Sequence, residues 1–347
     1  MPSRNAQVAI VIGGSAGVGR AVVDSLRDRG YTVGVVARGR MRLDELEQIG
    51  VATYGADAGD AAQMDAAAAH LVDRIGTPDV WVNCAMATSF SAFKDTPAED
   101  FDRIVRTTLM GQVNGTRAAL RHMIRGNIVN IGSGLSYRSV PLQSAYCAAK
   151  HAINGFTASV RSELIAEDSP IHLSLVQLPA LNTPQFDWAR SHLAQQPQPA
   201  PPVYRPQVAA EAVMRAIDTN ARELFVGASV LKLVFGQFLV PDYLDNRLSR
   251  DGISGQKSDR PAPGVQPGNL YDPVDYPTTP AGSYGDRAAE SGVIVDADRA
   301  RKAAFFGVPL LALAAGALLG TLGRSRADRR LPRDRSAQIP RSFGKGN

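Results

Sequence analysis

An α/β fold, a doubly wound parallel sheet with helices on both faces, is predicted by three observations. Short apolar runs alternate with longer segments of 3.6-residue periodicity through the first two-thirds of the chain. The first apolar run ends in a glycine-rich turn, Gly13 to Gly19, that opens a helical segment. The 347 residues are 44% hydrophobic and 20% charged, enough for a sizeable core and too apolar for disorder throughout. Alternation of strand and helix implies crossovers, and crossovers imply parallel strands covered on both faces.

In chain order, Val8–Ile12 is an uninterrupted apolar run and reads as the first strand; residues 17–29 follow as a helix. Thr32–Ala37 is the second strand and 43–48 a short helix. Residues 51–54 form a weak strand, and 61–74, rich in alanine, a helix. Val80–Asn83 is the fourth strand, and 101–125 reads as one long helix. Residues 127–131 are a strand, Ser144–Ala166 a helix and 172–176 a strand. Beyond 177 the pattern loosens. Five prolines between 195 and 206 mark an exposed loop, 207–219 is a helix and 224–226 the last strand. The domain organisation predicted is a catalytic domain over 1–240, a Pro/Gly-rich extension or linker over 241–302, an apolar helix over 303–323 and a basic tail over 324–347.

Charge and cysteine content exclude several classes. The net charge of +5 comes from the tail, which carries eight basic and two acidic residues from Arg324 onward; residues 1–323 sum to about −1. No nucleic-acid partner is expected. Two cysteines and five scattered histidines give no disulfide framework and no metal cluster, so no metal site is expected. The start, Met-Pro-Ser-Arg-Asn followed at once by a strand, has no signal-peptide pattern, and a cytoplasmic catalytic domain is expected. Residues 303–323 carry no charge and would reach roughly 30 Å as a helix. Membrane contact through 303–347 is therefore expected, with a helix packed on the domain as the alternative.

The turn Gly13-Gly14-Ser15-Ala16-Gly17-Val18-Gly19 lies between strand and helix, where glycines allow a diphosphate to approach the backbone and the helix N-terminus offers unpaired N–H groups. An ordinary glycine-rich loop shares the composition; the strand–turn–helix context favours the dinucleotide. The second strand ends in Val36-Ala37-Arg38-Gly39-Arg40. Arginine at this place suits a ribose 2′-phosphate, so NADP(H) is preferred over NAD(H), unless Arg38 is simply solvated.

Tyr146 and Lys150 are four residues apart and share one helix face, and Ser133 lies just past a strand's carboxyl end. Carbonyl reduction by hydride needs a proton donor to the developing alkoxide, and alcohol oxidation needs the reverse. A phenol with its pKa near 10 must be lowered to act as a base, and a nearby ammonium would do this. Asn130-Ile131-Gly132-Ser133, the 13-residue spacing to Tyr146-Cys147-Ala148-Ala149-Lys150, and Gly13-x-x-x-Gly17-x-Gly19 together resemble the short-chain dehydrogenase/reductase family over residues 5–230, and the region after Arg222 resembles a bacterial subgroup with a long C-terminal extension.

The resemblance implies a Rossmann-type fold and a hydride-transferring oxidoreductase. It implies Ser133, Tyr146 and Lys150 as catalytic, with Thr108 at the place of the family's relay asparagine. It implies cofactor contacts from Gly13, Ser15, Gly17, Val18, Gly19, Arg38, Asp57, Asn83, Tyr146, Lys150, Pro179 and Thr183. The chain departs from the family pattern at Met86, where a glycine is usual, at Thr108, and at Ala180 after Pro179. Phe186, Trp188 and Leu193 give the variable loop an apolar character, so a small apolar carbonyl or alcohol is the expected substrate. The resemblance also implies a homo-oligomer, dimer or tetramer. Met86 and Thr108 motivate the alternative, a non-catalytic nucleotide-binding sensor or membrane-recruited scaffold on the same fold.

Overall fold

The computed structural model describes residues 6–262, 264–307 and 310. Seven parallel strands form the sheet: β1 (Val8–Ile12), β2 (Thr32–Ala37), β3 (Ala52–Gly55), β4 (Val80–Asn83), β5 (Gly126–Ser133), β6 (Ile171–Leu178) and β7 (Glu223–Val226). An eighth, β8 (Ile294–Asp296), adds antiparallel to β7, giving the spatial order β8-β7-β6-β5-β4-β1-β2-β3. The order reverses between β1 and β4, so a crevice opens outside their carboxyl ends.

Alternation along each strand divides the core into two layers. Ala9, Val11, Val80, Val82 and Val129 face α1 (Gly17–Asp28), whose Val22, Val23 and Leu26 are fully buried. Ile10, Ile12, Trp81 and Ile128 face the other way, onto α3 (Ala61–Ile75) through Met64 and Leu71. Between them in sequence lies α2 (Arg40–Gln48), and Asp60 caps α3 by accepting the Gln63 N–H at 3.0 Å.

The single helix expected over 101–125 is three pieces. α4 (Ala98–Val105) runs into a π-turn, Arg106–Met110, and then α5 (Gly111–His122). Within the π-turn the Thr108 hydroxyl exchanges both hydrogen bonds with Ala87, accepting from its N–H at 3.0 Å and donating to its carbonyl at 2.9 Å. α6 (Ser144–Ala166) and α7 (Pro206–Thr219, with proline at its first turn) complete the helical layers.

The segment expected as an extension or linker over 241–302 returns to the domain. It opens with α9 (Pro241–Arg247), which follows α8 (Gly227–Leu239), and residues through Ala297 belong to the same compact unit as the sheet. Tyr271 donates its hydroxyl to the fully buried Asp100 at 2.8 Å, and Leu270 is completely buried among Ala87, Ile104 and Ala145. β8 closes the excursion by pairing with β7. Residues from 298 form a second unit, whose described part continues the helix Ala297–Lys302 into a π-turn, Ala303–Gly307, with an Arg301–Asp298 ion pair at 3.1 Å. Among the described residues no helix is long and apolar enough to cross a membrane. Most of the apolar segment 303–323 and all of the basic tail lie outside the described residues.

Candidate active site

The crevice at the carboxyl ends of β1, β4, β5 and β6 is one continuous cavity of about 710 Å³. Its floor is the turn between β1 and α1. Gly13 has φ +80°, and a Cβ there would lie 2.7 Å from the Ala85 Cα; a Cβ on Gly19 would lie 2.1 Å from the Gly13 carbonyl oxygen. Only glycine lets the turn fold this tightly and seat α1 against it. Ser15, Gly17, Val18 and Gly19 line the cavity, so the N-terminal turn of α1 faces into it, its Gly17 N–H already taken by the Thr279 carbonyl at 2.9 Å.

Arg38 and Asp57 line one end. Asp57 accepts from the Gly59 N–H at 2.9 Å and pairs with Arg103 at 2.6 Å. Burial pushes its carboxyl up, but these two partners outweigh burial and hold the pKa below the usual value. Arg38 is held below its ordinary pKa, first by burial and then by Arg103. Its guanidinium donates to the carbonyls of Asn269, Leu270 and Tyr271, so the predicted phosphate ligand also grips the extension.

Ser133, Tyr146 and Lys150 meet in the middle of the same cavity. Ser133 ends β5, and its Oγ accepts from the Leu135 N–H at 3.1 Å, capping the turn that carries the chain away. Tyr146 and Lys150 project from the first two turns of α6, and the Lys150 Nζ sits 5.6 Å from the centre of the Tyr146 ring. That ammonium is 2% exposed and donates to the Ile131 carbonyl at 2.6 Å. Burial lowers its pKa to about 8. The Tyr146 phenol is pushed well above its ordinary value, chiefly by burial and then by Cys147, against a lowering hydrogen bond with Ser133. In this state desolvation outweighs the lowering expected from Lys150.

Two predicted site residues stand elsewhere. Asn83 is buried behind the cavity, not in its lining: it accepts from Trp81 Nε1 at 2.9 Å and donates to Thr116 and Asn130 at 3.0 and 2.8 Å. It fixes the end of β4 against β5. Thr108 is likewise outside the lining, spent on Ala87, and steadies the loop that carries Met86. Met86 itself lines the cavity, as do Pro179 and Thr183. Of the apolar loop residues, Phe186 and Trp188 line it, whereas Leu193 packs with Phe90 and Ala189 in a satellite core.

Sequence reasoning missed Gln177 and Gln112. Gln177, fully buried on β6, accepts the Ser133 N–H at 2.7 Å, and the lack of a side chain at Gly132 makes room for it. Gln112 on α5 donates to the same Ile131 carbonyl as Lys150, at 2.8 Å. Neither position is marked by any spacing in the chain. The extension was also missed as site wall: Leu244, Leu248, Gly252 and Gln256 line one end, Asn269 and Pro273 the other. In Asn269-Leu270-Tyr271-Asp272-Pro273 nothing local says where the segment docks. Among the described residues no cluster could hold a metal ion.

A family model described as short chain dehydrogenase matches residues 7–193. The uncharacterized oxidoreductase YxnA of Bacillus subtilis is 30% identical over 277 residues, 77% of this chain and 78% of that protein. The 2-(R)-hydroxypropyl-CoM dehydrogenase of Xanthobacter autotrophicus is 30% identical over 253 residues, 68% of this chain and 97% of that protein. The crystal structure of a short-chain dehydrogenase from Streptomyces avermitilis superposes with a TM-score of 0.61 at 27% identity, covering 73% of this chain and 98% of that one.

Proposed function

The chain belongs to the short-chain dehydrogenase family and is an NAD(P)-dependent oxidoreductase, and on that premise we propose that it uses NADP(H) to interconvert a small apolar carbonyl compound and its alcohol, with Tyr146 as the acid/base. The observation that carries this reading is the convergence of Ser133, Tyr146 and Lys150 in one cavity with the glycine turn. The residues fit a dinucleotide: a turn that closes only with glycine, a helix N-terminus facing the cavity, and Arg38 at the far end for a 2′-phosphate. When bound, the nicotinamide supplies or accepts the hydride.

The chain's own groups handle the oxygen and the proton. The Ser133 hydroxyl orients the substrate oxygen. The Tyr146 hydroxyl gives its proton to that oxygen in reduction and takes it back in oxidation. With its pKa raised by burial, the phenol stands protonated at neutral pH, the state from which reduction starts. Lys150, fixed by the Ile131 carbonyl, places a positive charge under the ring and lies within the lining to meet the ribose hydroxyls. Phe186, Leu233, Leu244 and Leu248 favour an apolar substrate body.

The test combines binding and turnover on the full chain. NADPH and NADH are titrated by fluorescence, then apolar ketones and aldehydes are screened with the preferred cofactor. Tyr146→Phe is expected to keep cofactor affinity and to lose about 10²–10⁴-fold in turnover. Turnover surviving in Tyr146→Phe sinks the acid/base assignment.

A further inference from the structure

Residues 269–284 cross the mouth of the cavity at its cofactor end, and their anchors lie on both banks. On the bank of β2 and α2, Arg42 donates to the carbonyls of Val274 and Tyr276 at 2.7 and 3.3 Å. At the centre the chain docks on the glycine turn itself: the Thr278 hydroxyl donates to the Ser15 carbonyl at 2.8 Å, and the Gly17 N–H donates to the Thr279 carbonyl at 2.9 Å. Arg20, one turn into α1, holds both the carbonyl and the hydroxyl of Thr278 at 3.0 Å. On the opposite bank Asp187 accepts from the Ser283 N–H and the Tyr276 hydroxyl, each at 3.1 Å.

This segment is a roof and not a plug. Asn269 and Pro273 line the cavity from above, and about 710 Å³ remains beneath and beside them. Leu270, completely buried, rivets one end. A ligand reaching from Arg38 to Tyr146 lies under the crossing chain, and departure through this mouth requires one bank to let go. Such multiply anchored segments open as units, with the anchoring bonds lost together.

We infer that residues 269–284 are a strap that closes over the bound dinucleotide and holds it through hydride transfer, making the extension a wall of the cofactor site. The inference rests on the dinucleotide reading above. Dissociation of the cofactor then waits on strap opening, and since each hydride transfer spends one nucleotide the strap opens once per turnover to exchange it.

Retention is measured directly. The full chain is saturated with NADPH, desalted, and assayed for bound nucleotide; release is timed by fluorescence after addition of excess NADP⁺. The comparison is the double variant Arg20→Ala/Asp187→Ala, which cuts one anchor at the centre and one on the far bank and leaves the cavity lining intact. The wild type is expected to keep about one NADPH per chain through desalting and to release it at least thirtyfold more slowly than the variant, roughly the loss of one charge-assisted hydrogen bond. Thr278→Val, a milder change, is expected to speed release about tenfold and serves if the double variant does not fold. Wild type and variant releasing at the same rate overturns the strap. So does a wild type that takes up no NADPH while the variant does, since the segment would then exclude the cofactor. If folded wild type and folded variant both ignore NADPH and NADH, the dinucleotide reading itself falls and the strap with it.

Discussion

Arg38 carries two assignments, and one substitution separates them. A guanidinium has five N–H donors. Three hydrogen bonds go to the extension, to the carbonyls of Leu270 at 3.2 Å, Tyr271 at 2.9 Å and Asn269, which leaves two donors for a ribose 2′-phosphate. A charge-assisted hydrogen bond contributes about 1.5–3 kcal/mol. Counting only one such bond at about 2 kcal/mol, Arg38→Ala should cut the preference for NADPH over NADH by about thirtyfold. Arg38→Asp should cut it further, since the new carboxylate would stand near Asp57 and Asp272 and face the phosphate. Both variants also lose the grip on residues 269–271. That loss speeds release of either cofactor and cancels in the ratio of affinities. The assay is a pair of fluorescence titrations, NADPH and NADH, on wild type and both variants, with release rates taken on the same samples. A ratio unchanged within about threefold, alongside faster release of both nucleotides, would mean that Arg38 belongs to the strap alone, and the NADP(H) reading would be abandoned.

Two further expectations follow from the same geometry. Lys150 is buried with its pKa lowered from 10.5 to about 8, so folding carries a cost below pH 8 that is relieved as pH rises toward 10.5. Lys150→Met should therefore be more stable than wild type at pH 7 by up to about 3 kcal/mol, with the gap narrowing by pH 9.5; chemical denaturation at the two pH values checks this, and a gap that widens with pH refutes it. The Ile131 carbonyl keeps its bond from Gln112 in that variant, so no acceptor is orphaned. Gly19→Ala would place a Cβ 2.1 Å from the Gly13 carbonyl oxygen, a backbone atom that cannot swing aside. It should cost about 1–3 kcal/mol in thermal unfolding and abolish NADPH binding, and unimpaired binding would show that the turn does not hold the diphosphate.

The sequence by itself determined the frame. Short uninterrupted apolar runs, helix periodicity near 3.6 and glycines at the first turn are local signals, each enforced within a few residues, and together they dictate a parallel sheet with its crevice at the strands' carboxyl ends. Tyr146 and Lys150 were legible because one helix turn ties them, and Ser133 because it stands at the carboxyl end of its strand. The tertiary structure decided what lies across chain distance. Asn83 was displaced from the site by Trp81, Thr116 and Asn130, partners drawn from three elements. Thr108, within the π-turn, was turned to Ala87, 21 residues away. Gln177 reached Ser133 across adjacent strands. The extension looked like a linker because it has no periodicity, and it has none because its order comes from hydrogen bonds to Arg20, Arg38, Arg42 and Asp187, more than 80 residues away along the chain. Periodicity records burial against a flat or helical neighbour. A strap laid over a cavity is held by carbonyls meeting scattered side chains, and that leaves no pattern to read.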